Sequence, residues 1–473
     1  MVNAADWRRA PERREWMSST STLSTDSAAS ARRAPAAQHA PANRAAGAFF
    51  FLLLFTALLY GRPMDFIRPL RGIAITEGVA ILACLGYFWA FLRGGLPLNL
   101  CMELKLTVAL TLCYAAGVPF SIWRGNSFDG LTGWLKTLLV FFLISQLVTT
   151  MGRVRKLLWV IILSMGAVAF YSLAIKGVGA TAEDARVLRF TMGILSGNYV
   201  GIAVGTTLPF IAALFIRRGS SFALLPLVSI FAMLVWMVAL TASRAGTLGV
   251  VLSLVLTWVY LLRDSFKARL MGAGFVLVLI FVGVFAPGIF WDRLSTLWDP
   301  TGYAKSEASA SEYQRKALLR RSITYTLQNP LFGVGLQNFE IMSGSSTGSA
   351  HEWKGTHNTF TQVSSEAGIP AFIFFVAIFG VAIRRLNEIK RWAGKDLSRQ
   401  EVGVFVRASL VSIFAFIFSG FFAHLAYDFY LFYLVGIGVA LQAVQRQMQM
   451  QAMAEPAVAA RPRYSNGWRA RAS

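Results

Sequence analysis

Twelve apolar stretches of membrane-spanning length recur along this chain, at 46–60, 72–92, 104–121, 131–149, 157–175, 197–216, 221–241, 245–262, 268–290, 362–383, 403–423 and 426–445. A run of about 20 apolar residues, folded as a helix, satisfies its own backbone hydrogen bonds and crosses the hydrocarbon core of a bilayer. The pattern predicts an all-α polytopic membrane protein of about twelve transmembrane helices, some short or tilted. Composition agrees: of 473 residues, 56% are hydrophobic and 14% charged, far more apolar than a water-soluble domain of this length. The expected organisation is a tail at 1–45, nine helices within 46–290, one large polar loop at 291–361, three helices within 362–445 and a second tail at 446–473.

The formal net charge of +22 is compatible with nucleic acid, anionic lipid or an anionic substrate, so the placement of the charges decides. Residues 1–45 are rich in Ala, Arg, Ser and Pro and hold almost no large aliphatics, so they read as a disordered cytoplasmic tail. With that tail inside, Arg153, Arg155 and Lys156, then Arg217 and Arg218, then Arg263, Lys267 and Arg269 fall in cytoplasmic turns, as do Arg384, Arg385, Lys390 and Arg391. The basic 446–473 tail joins them. Charge thus follows topology and implies membrane lipid, with no nucleic-acid partner. The 291–361 loop is then external, which in a bacterial inner membrane means periplasmic.

Cys84 and Cys113 lie in apolar spans and Cys101 near a cytoplasmic turn, so no disulfide framework or zinc spacing is present. Gly197, Gly201 and Gly205 form a small-xxx-small ladder that predicts close helix packing. Lys136 and His424 fall within apolar runs, where an ionisable group faces either a structural partner or a cavity.

Within the loop, Ser309-Ala310-Ser311-Glu312 has capping-box spacing and predicts a helix over Tyr313–Leu327, stopped by Asn329-Pro330. Arg315, Lys316, Arg320 and Arg321 crowd that helix on the side of the membrane where basic residues are disfavoured. Arg186, Arg189 and Arg244 are external in the same way. Planar guanidinium groups bind phosphate oxygens in pairs, so several together suit a diphosphate at the membrane surface; the bland alternative is snorkelling or headgroup contact. His357, in Gly355-Thr356-His357-Asn358-Thr359-Phe360, is placed as a proton acceptor near neutral pH, with Glu352 and Glu366 as partners to orient it. His351 and His357 lack the acids or thiols of a metal set, and no nucleotide-binding glycine loop occurs, so no metal and no cofactor are expected.

The order of Ser243-Arg244-Ala245-Gly246, Asn329-Pro330-Leu331-Phe332-Gly333-Val334-Gly335-Leu336-Gln337-Asn338-Phe339, His357-Asn358-Thr359-Phe360 and Ser365-Glu366-Ala367-Gly368-Ile369 around one external loop resembles the bacterial O-antigen ligase and polymerase family. The resemblance implies a metal-independent glycosyltransferase that takes its glycan from undecaprenyl diphosphate. It places the catalytic histidine at His357, supported by Asn358 and Glu366, and one diphosphate-binding arginine at Arg244. A second family arginine corresponds to Arg189 or Arg186, with Arg189 first, and a loop-helix arginine to Arg315 ahead of Arg320. The acceptor implied is the lipid A-core for a ligase, a second lipid-linked glycan for a polymerase, or a Ser or Thr hydroxyl for a protein glycosyltransferase. From another class, a transporter or flippase has a similar span count; the missing half-to-half repeat and the single large loop count against it.

Overall fold

The computed structural model describes residues 45–70, 72–94, 98–176, 197–217, 224–263, 266–296, 303–347 and 353–459. The expectations for the N-terminal tail, Arg186, Arg189, His351 and Glu352 fall outside the described residues. All regular structure among the described residues is helical.

Nine apolar helices come first: α1 (Ala46–Gly61), α2 (Ile75–Leu92), α3 (Met102–Gly117), α4 (Arg124–Leu147), α5 (Met151–Lys176), α6 (Gly197–Arg217), α7 (Leu224–Leu240), α8 (Arg244–Leu261) and α9 (Phe266–Phe285). The polar segment carries α10 (Gly288–Ser295), α11 (Tyr303–Gln328) and α12 (Phe339–Thr347). Three further helices close the chain: α13 (Thr359–Ala393), α14 (Gln400–Gly420) and α15 (Phe429–Ala459). Among the described residues, ten helices are long and apolar enough to cross a membrane, and α1 and α7 are shorter apolar helices. The twelve apolar runs thus correspond to twelve helices. Several helices outrun the hydropathy signal, because polar residues continue a helix at either end without breaking it: α4 starts at Arg124, and α15 continues to Ala459.

Small residues let the central helices meet. Van der Waals packing and interhelical hydrogen bonds hold helices together in lipid, where burying apolar area gives little net gain. A Cβ on Gly201 of α6 would lie 2.2 Å from the Cα of Gly246 in α8, and one on Gly205 would lie 3.5 Å from the carbonyl oxygen of Gly249. The glycine ladder is therefore a packing seam between α6 and α8 at Gly201 and Gly205. The Ser253 hydroxyl donates to the Gly205 carbonyl, and Ser412 of α14 donates to the Thr206 carbonyl at 2.8 Å. The Ser-Arg-Ala-Gly motif thus meets α6 at Gly246, whose backbone a side chain on Gly201 would strike.

Alternating helix direction puts the described residues of the connections, 62–70, 72–74, 118–123, 241–243, 286–296, 303–347, 353–358 and 421–428, at one end of the bundle. Hydrogen bonds stitch them together: Asn126 Nδ2 to the Gln337 carbonyl at 2.9 Å, Ile122 N to the Val334 carbonyl at 3.2 Å, and Tyr199 Oη to the His424 carbonyl at 3.0 Å.

The Asn-Pro-Leu-Phe-Gly-Val-Gly segment is more than a turn after Pro330. It lies along the start of α13, with Val334 N donating to the Ser365 carbonyl (2.8 Å), Gly335 N to Glu366 (3.0 Å) and Ile369 N to Pro330 (2.7 Å). Gly333 and Gly368 hold φ of +67° and +82°, and a Cβ on either would strike the opposing backbone at 2.4 Å. At Gly368, followed by Pro370, α13 kinks.

Three expectations are corrected. Helix α11 begins at Tyr303, so Ser309–Glu312 lies inside it and is not its cap; the Ala- and Ser-rich residues ahead of Tyr313 extend the helix instead. His424 lies in the connection between α14 and α15 rather than in a span. Glu366 is not seen orienting His357: its carboxylate accepts from Gln337 N (3.1 Å), Phe339 N (3.3 Å) and Tyr427 Oη (2.6 Å), fastening the glycine-rich segment to α13.

Candidate functional site

His357 sits one residue before the N-cap of α13, with φ of +50°, a left-handed backbone unusual for a side-chain-bearing residue. Its neighbours hold it there. The Asn358 side chain caps α13, accepting from Phe360 N (2.9 Å) and Thr361 N (3.1 Å). Thr356 Oγ1 donates to the Asn358 carbonyl (2.9 Å). Thr359 Oγ1 donates to the Ala423 carbonyl (2.7 Å) and accepts from Leu425 N (3.1 Å), tying this turn to the α14–α15 connection. Phe360 packs against Phe375, Phe379 and Phe421. The motif around the histidine is thus a cap, two clasps and an apolar anchor.

Arg244 is the first residue of α8. Ser243 caps that helix by accepting from Gly246 N (3.2 Å) and donates to Asn198 Oδ1 of α6 (2.6 Å). The Arg244 guanidinium donates to Thr296 Oγ1 at 3.1 Å.

Arg315 is delivered by α11, which is anchored at three points: Lys354 Nζ to Gln314 Oε1 (2.7 Å), Arg321 Nη1 to Ser343 Oγ (3.0 Å), and Thr326 to Ser364 (2.9 Å).

These elements enclose a cavity of about 300 Å³ whose wall includes Arg244, Arg315, Lys316, Glu312, His357 and Asn358. Lys316 is paired with Glu312 at 2.8 Å. Arg244 and Arg315 have no ion-pair partner among the described residues, and burial, together with the Arg244 charge, pulls Arg315 below its usual value. Two unneutralised guanidiniums facing one space form a site for an anion with several oxygens. Arg320 is exposed on α11 and is not part of this wall.

Burial lowers the His357 imidazole to about 3, aided by His424, Arg315 and Lys354, so it is neutral at physiological pH. Its ring meets that of His424 edge-on, with centroids 5.3 Å apart. Beyond His424 lies a larger cavity of about 850 Å³, with Glu340, Asp428, Trp353, Tyr199 and Gln337 in its wall; Thr356 borders both spaces. Desolvation raises Glu340 and lifts Asp428 to about 6, the Arg62 charge opposing the latter shift. Sequence reasoning singled out His424 but set it in a span, and it missed Glu340, Asp428 and Lys354. Glu340, directly after the Asn338-Phe339 motif, and Asp428, an acid between two apolar runs, were the available signals. Among the described residues, no three His, Cys, Asp or Glu side chains gather in a way that would hold a metal ion.

Compared with known families, residues 229–376 match the family model described as O-antigen ligase. That region is similar to the O-antigen ligase family. It runs from α7 into α13 and contains Arg244, Arg315, Arg320, His357, Asn358 and Glu366. No curated protein matches the chain.

Proposed function

We propose that this protein is an O-antigen ligase-type glycosyltransferase, moving a glycan from undecaprenyl diphosphate to a sugar hydroxyl of the lipid A-core on the periplasmic face of the bacterial inner membrane. One observation carries the reading: Arg244, Arg315 and His357, brought from three separate elements, line a single cavity.

In this reading the diphosphate occupies that cavity, held by Arg244 and Arg315. The acceptor hydroxyl attacks the anomeric carbon. The new bond is between that carbon and the acceptor oxygen; the bond from the anomeric carbon to the phosphate oxygen breaks, and its electron pair leaves on the diphosphate. The guanidiniums stabilise the added charge more strongly than water does, because they are already oriented and partly desolvated. His357, neutral before the reaction, takes the hydroxyl proton. Asn358 and the Thr356 and Thr359 clasps hold the imidazole in place, while Glu366 holds the segment behind it. Arg189 or Arg186 supplies a further diphosphate contact in this reading.

The test is transfer by membranes containing the full chain. His357→Ala removes the base, and His357→Asn removes it while keeping a residue type that tolerates left-handed backbone. Both are expected to lose about 10²- to 10⁴-fold in rate at normal expression, the usual contribution of a general base. Wild-type transfer by His357→Asn overturns the assignment. A polymerase uses the same chemistry on a lipid-linked acceptor, and the lipopolysaccharide of a deletion strain separates the two. Bare core with accumulated lipid-linked chains marks a ligase; core capped by a single unit marks a polymerase.

A further inference from the structure

As a base, His357 alone is weak. Burial and the nearby cations Arg315 and Lys354 hold its imidazole at about 3, well short of the near-neutral value at which a general base works best. A hydroxyl proton placed there needs somewhere further to go. The ring of His424 adjoins it edge-on, with centroids 5.3 Å apart, so a small turn of either ring brings a nitrogen of one within hydrogen-bond reach of the other. Tyr199 holds His424 in place: its Oη donates to the His424 carbonyl at 3.0 Å, and its ring packs on the imidazole at 5.8 Å. His424 Nδ1 is buried and has no hydrogen-bond partner among the described residues, a costly state unless the site uses that nitrogen. Beside the same ring lies Glu340 of α12. The point where a Cβ on Gly355 would stand is 2.9 Å from His424 Cδ2 and 3.0 Å from Glu340 Oε1, so imidazole and carboxylate share one space.

We propose that His424 and Glu340 complete the base: as His357 takes the acceptor's hydroxyl proton on one nitrogen, it passes the proton of its other nitrogen to His424, which passes its own to the Glu340 carboxylate. The proposal rests on the transferase reading above and deepens it. His357 meets the acceptor, while His424 and Glu340 act through it as positioning residues.

The relay balances. Each imidazole ends neutral with its proton on the opposite nitrogen, and Glu340 ends as a carboxylic acid. Burial lowers His424 as well, so it starts neutral with one nitrogen to accept and one to donate. Desolvation raises Glu340, which makes its carboxylate a better proton acceptor than an ordinary one. Charge gives the relay a direction: Arg244 and Arg315 stand at its start, and Glu340, with Asp428 in the same wall, stands at its end. Glu340 then releases its proton into the larger cavity, away from the diphosphate, and ring rotation resets the tautomers.

The experiment measures transfer by membranes containing the full chain, with and without added imidazole. His424→Ala should lower kcat about 10²-fold, the low end of what proton transfer by a positioned group contributes, and imidazole should restore about tenfold of it. Pyrrole, a ring of the same size with no basic nitrogen, should restore nothing; equal recovery with pyrrole makes His424 a packing residue and overturns the proposal. Failure of imidazole in a His424→Ala chain with an unchanged thermal midpoint does the same. Glu340→Gln keeps the side-chain volume and cannot take the proton, so it should also lose about 10²-fold, without recovery in imidazole. Because the two groups act as one chain, the double variant should be little slower than either single one. A wild-type rate in Glu340→Gln, or losses that multiply in the double variant, overturn the relay. The transferase reading is scored apart: wild-type transfer by His357→Asn removes base and relay together, whereas lost transfer there beside full activity in Glu340→Gln removes the relay alone.

Discussion

Arg244 and His357 reach one cavity by different local devices, so their substitutions should fail differently. Arg244 is locked by the Ser243 cap and by Thr296, with its guanidinium presented as a planar fork. Arg244→Lys keeps the charge and loses the fork; removing one charge-assisted hydrogen bond, about 1.5–3 kcal/mol, should slow transfer roughly 10- to 100-fold. Full activity in the lysine variant would exclude two-pronged recognition. Burial holds His357 at about 3. The neutral base is present throughout the mildly acidic range, so kcat/KM should show no acid limb near an ordinary imidazole value from this residue. Arg315→Gln removes a neighbouring cation, makes protonation easier and should move the His357 limb to higher pH. A bound diphosphate acts in the same direction, so the limb in kcat should lie above that in kcat/KM. A pH–rate series on wild type and Arg315→Gln checks both. The low proton affinity also means that the unfolded chain holds more protons here, so stability contributed by neutral His357 declines as pH falls from about 6.5 toward 3. At this scale His357, Arg244 and Arg315 were legible from chemistry and side of the membrane. His424 was not: Gly420-Phe421-Phe422-Ala423-His424-Leu425-Ala426 is nearly all apolar, and hydropathy does not reveal where such a run leaves the helix.

Among the elements, the least legible feature is the pairing of residues 330–339 with the start of α13. Gly333-Val334-Gly335 looks like an ordinary turn because the backbone it touches lies some thirty positions later. The glycines are explained only once Glu366 and Ala367 are seen against Gly333, and Leu331 against Gly368. Gly333→Ala would impose a positive φ on a residue with a Cβ and press it on the Glu366 carbonyl carbon. The strain alone is about 1–3 kcal/mol, and the close contact adds to it. A lowered thermal midpoint in detergent, together with lost transfer, is the expected result; an unchanged midpoint would show that the segment is not fastened as described. Helix α11 runs longer than its sequence signals because a capping-box spacing also arises inside a helix, where it marks no terminus. The glycine spacing, by contrast, predicted close approach by another helix without saying which, and the α6–α8 contact is tightest at Gly201, where a Cβ would strike Gly246.

For the molecule as a whole, the twelve apolar runs gave the helix count, and their basic connections predict a side for each end. The orientation makes a labelling prediction. Tyr313 on α11 and Leu397 between α13 and α14 are 78% and 80% exposed. In a chain with Cys84, Cys101 and Cys113 replaced by alanine, Tyr313→Cys should react with a membrane-impermeant maleimide on cells with a permeabilised outer membrane. Leu397→Cys should react only after the inner membrane is broken; the reverse pattern would invert the topology. The hydrophobic pattern was legible because lipid imposes it on every span, whereas the meeting of two cavities at Thr356 depends on contacts between distant segments that no local pattern encodes. Helix α13 adds a vertical dimension. Its 35 residues would extend ~52 Å as an ideal helix, against a hydrocarbon core of about 30 Å, and the kink at Gly368 divides the excess from the span below. In the proposed orientation the imidazole at its tip would stand above the hydrocarbon boundary at a height set by protein length, while the phosphates of the proposed polyprenyl donor would ride at a height set by the bilayer. Membrane thickness would thereby become a term in the alignment of the two proposed reactants, and a thicker or thinner bilayer should change the rate without touching a single residue of the site.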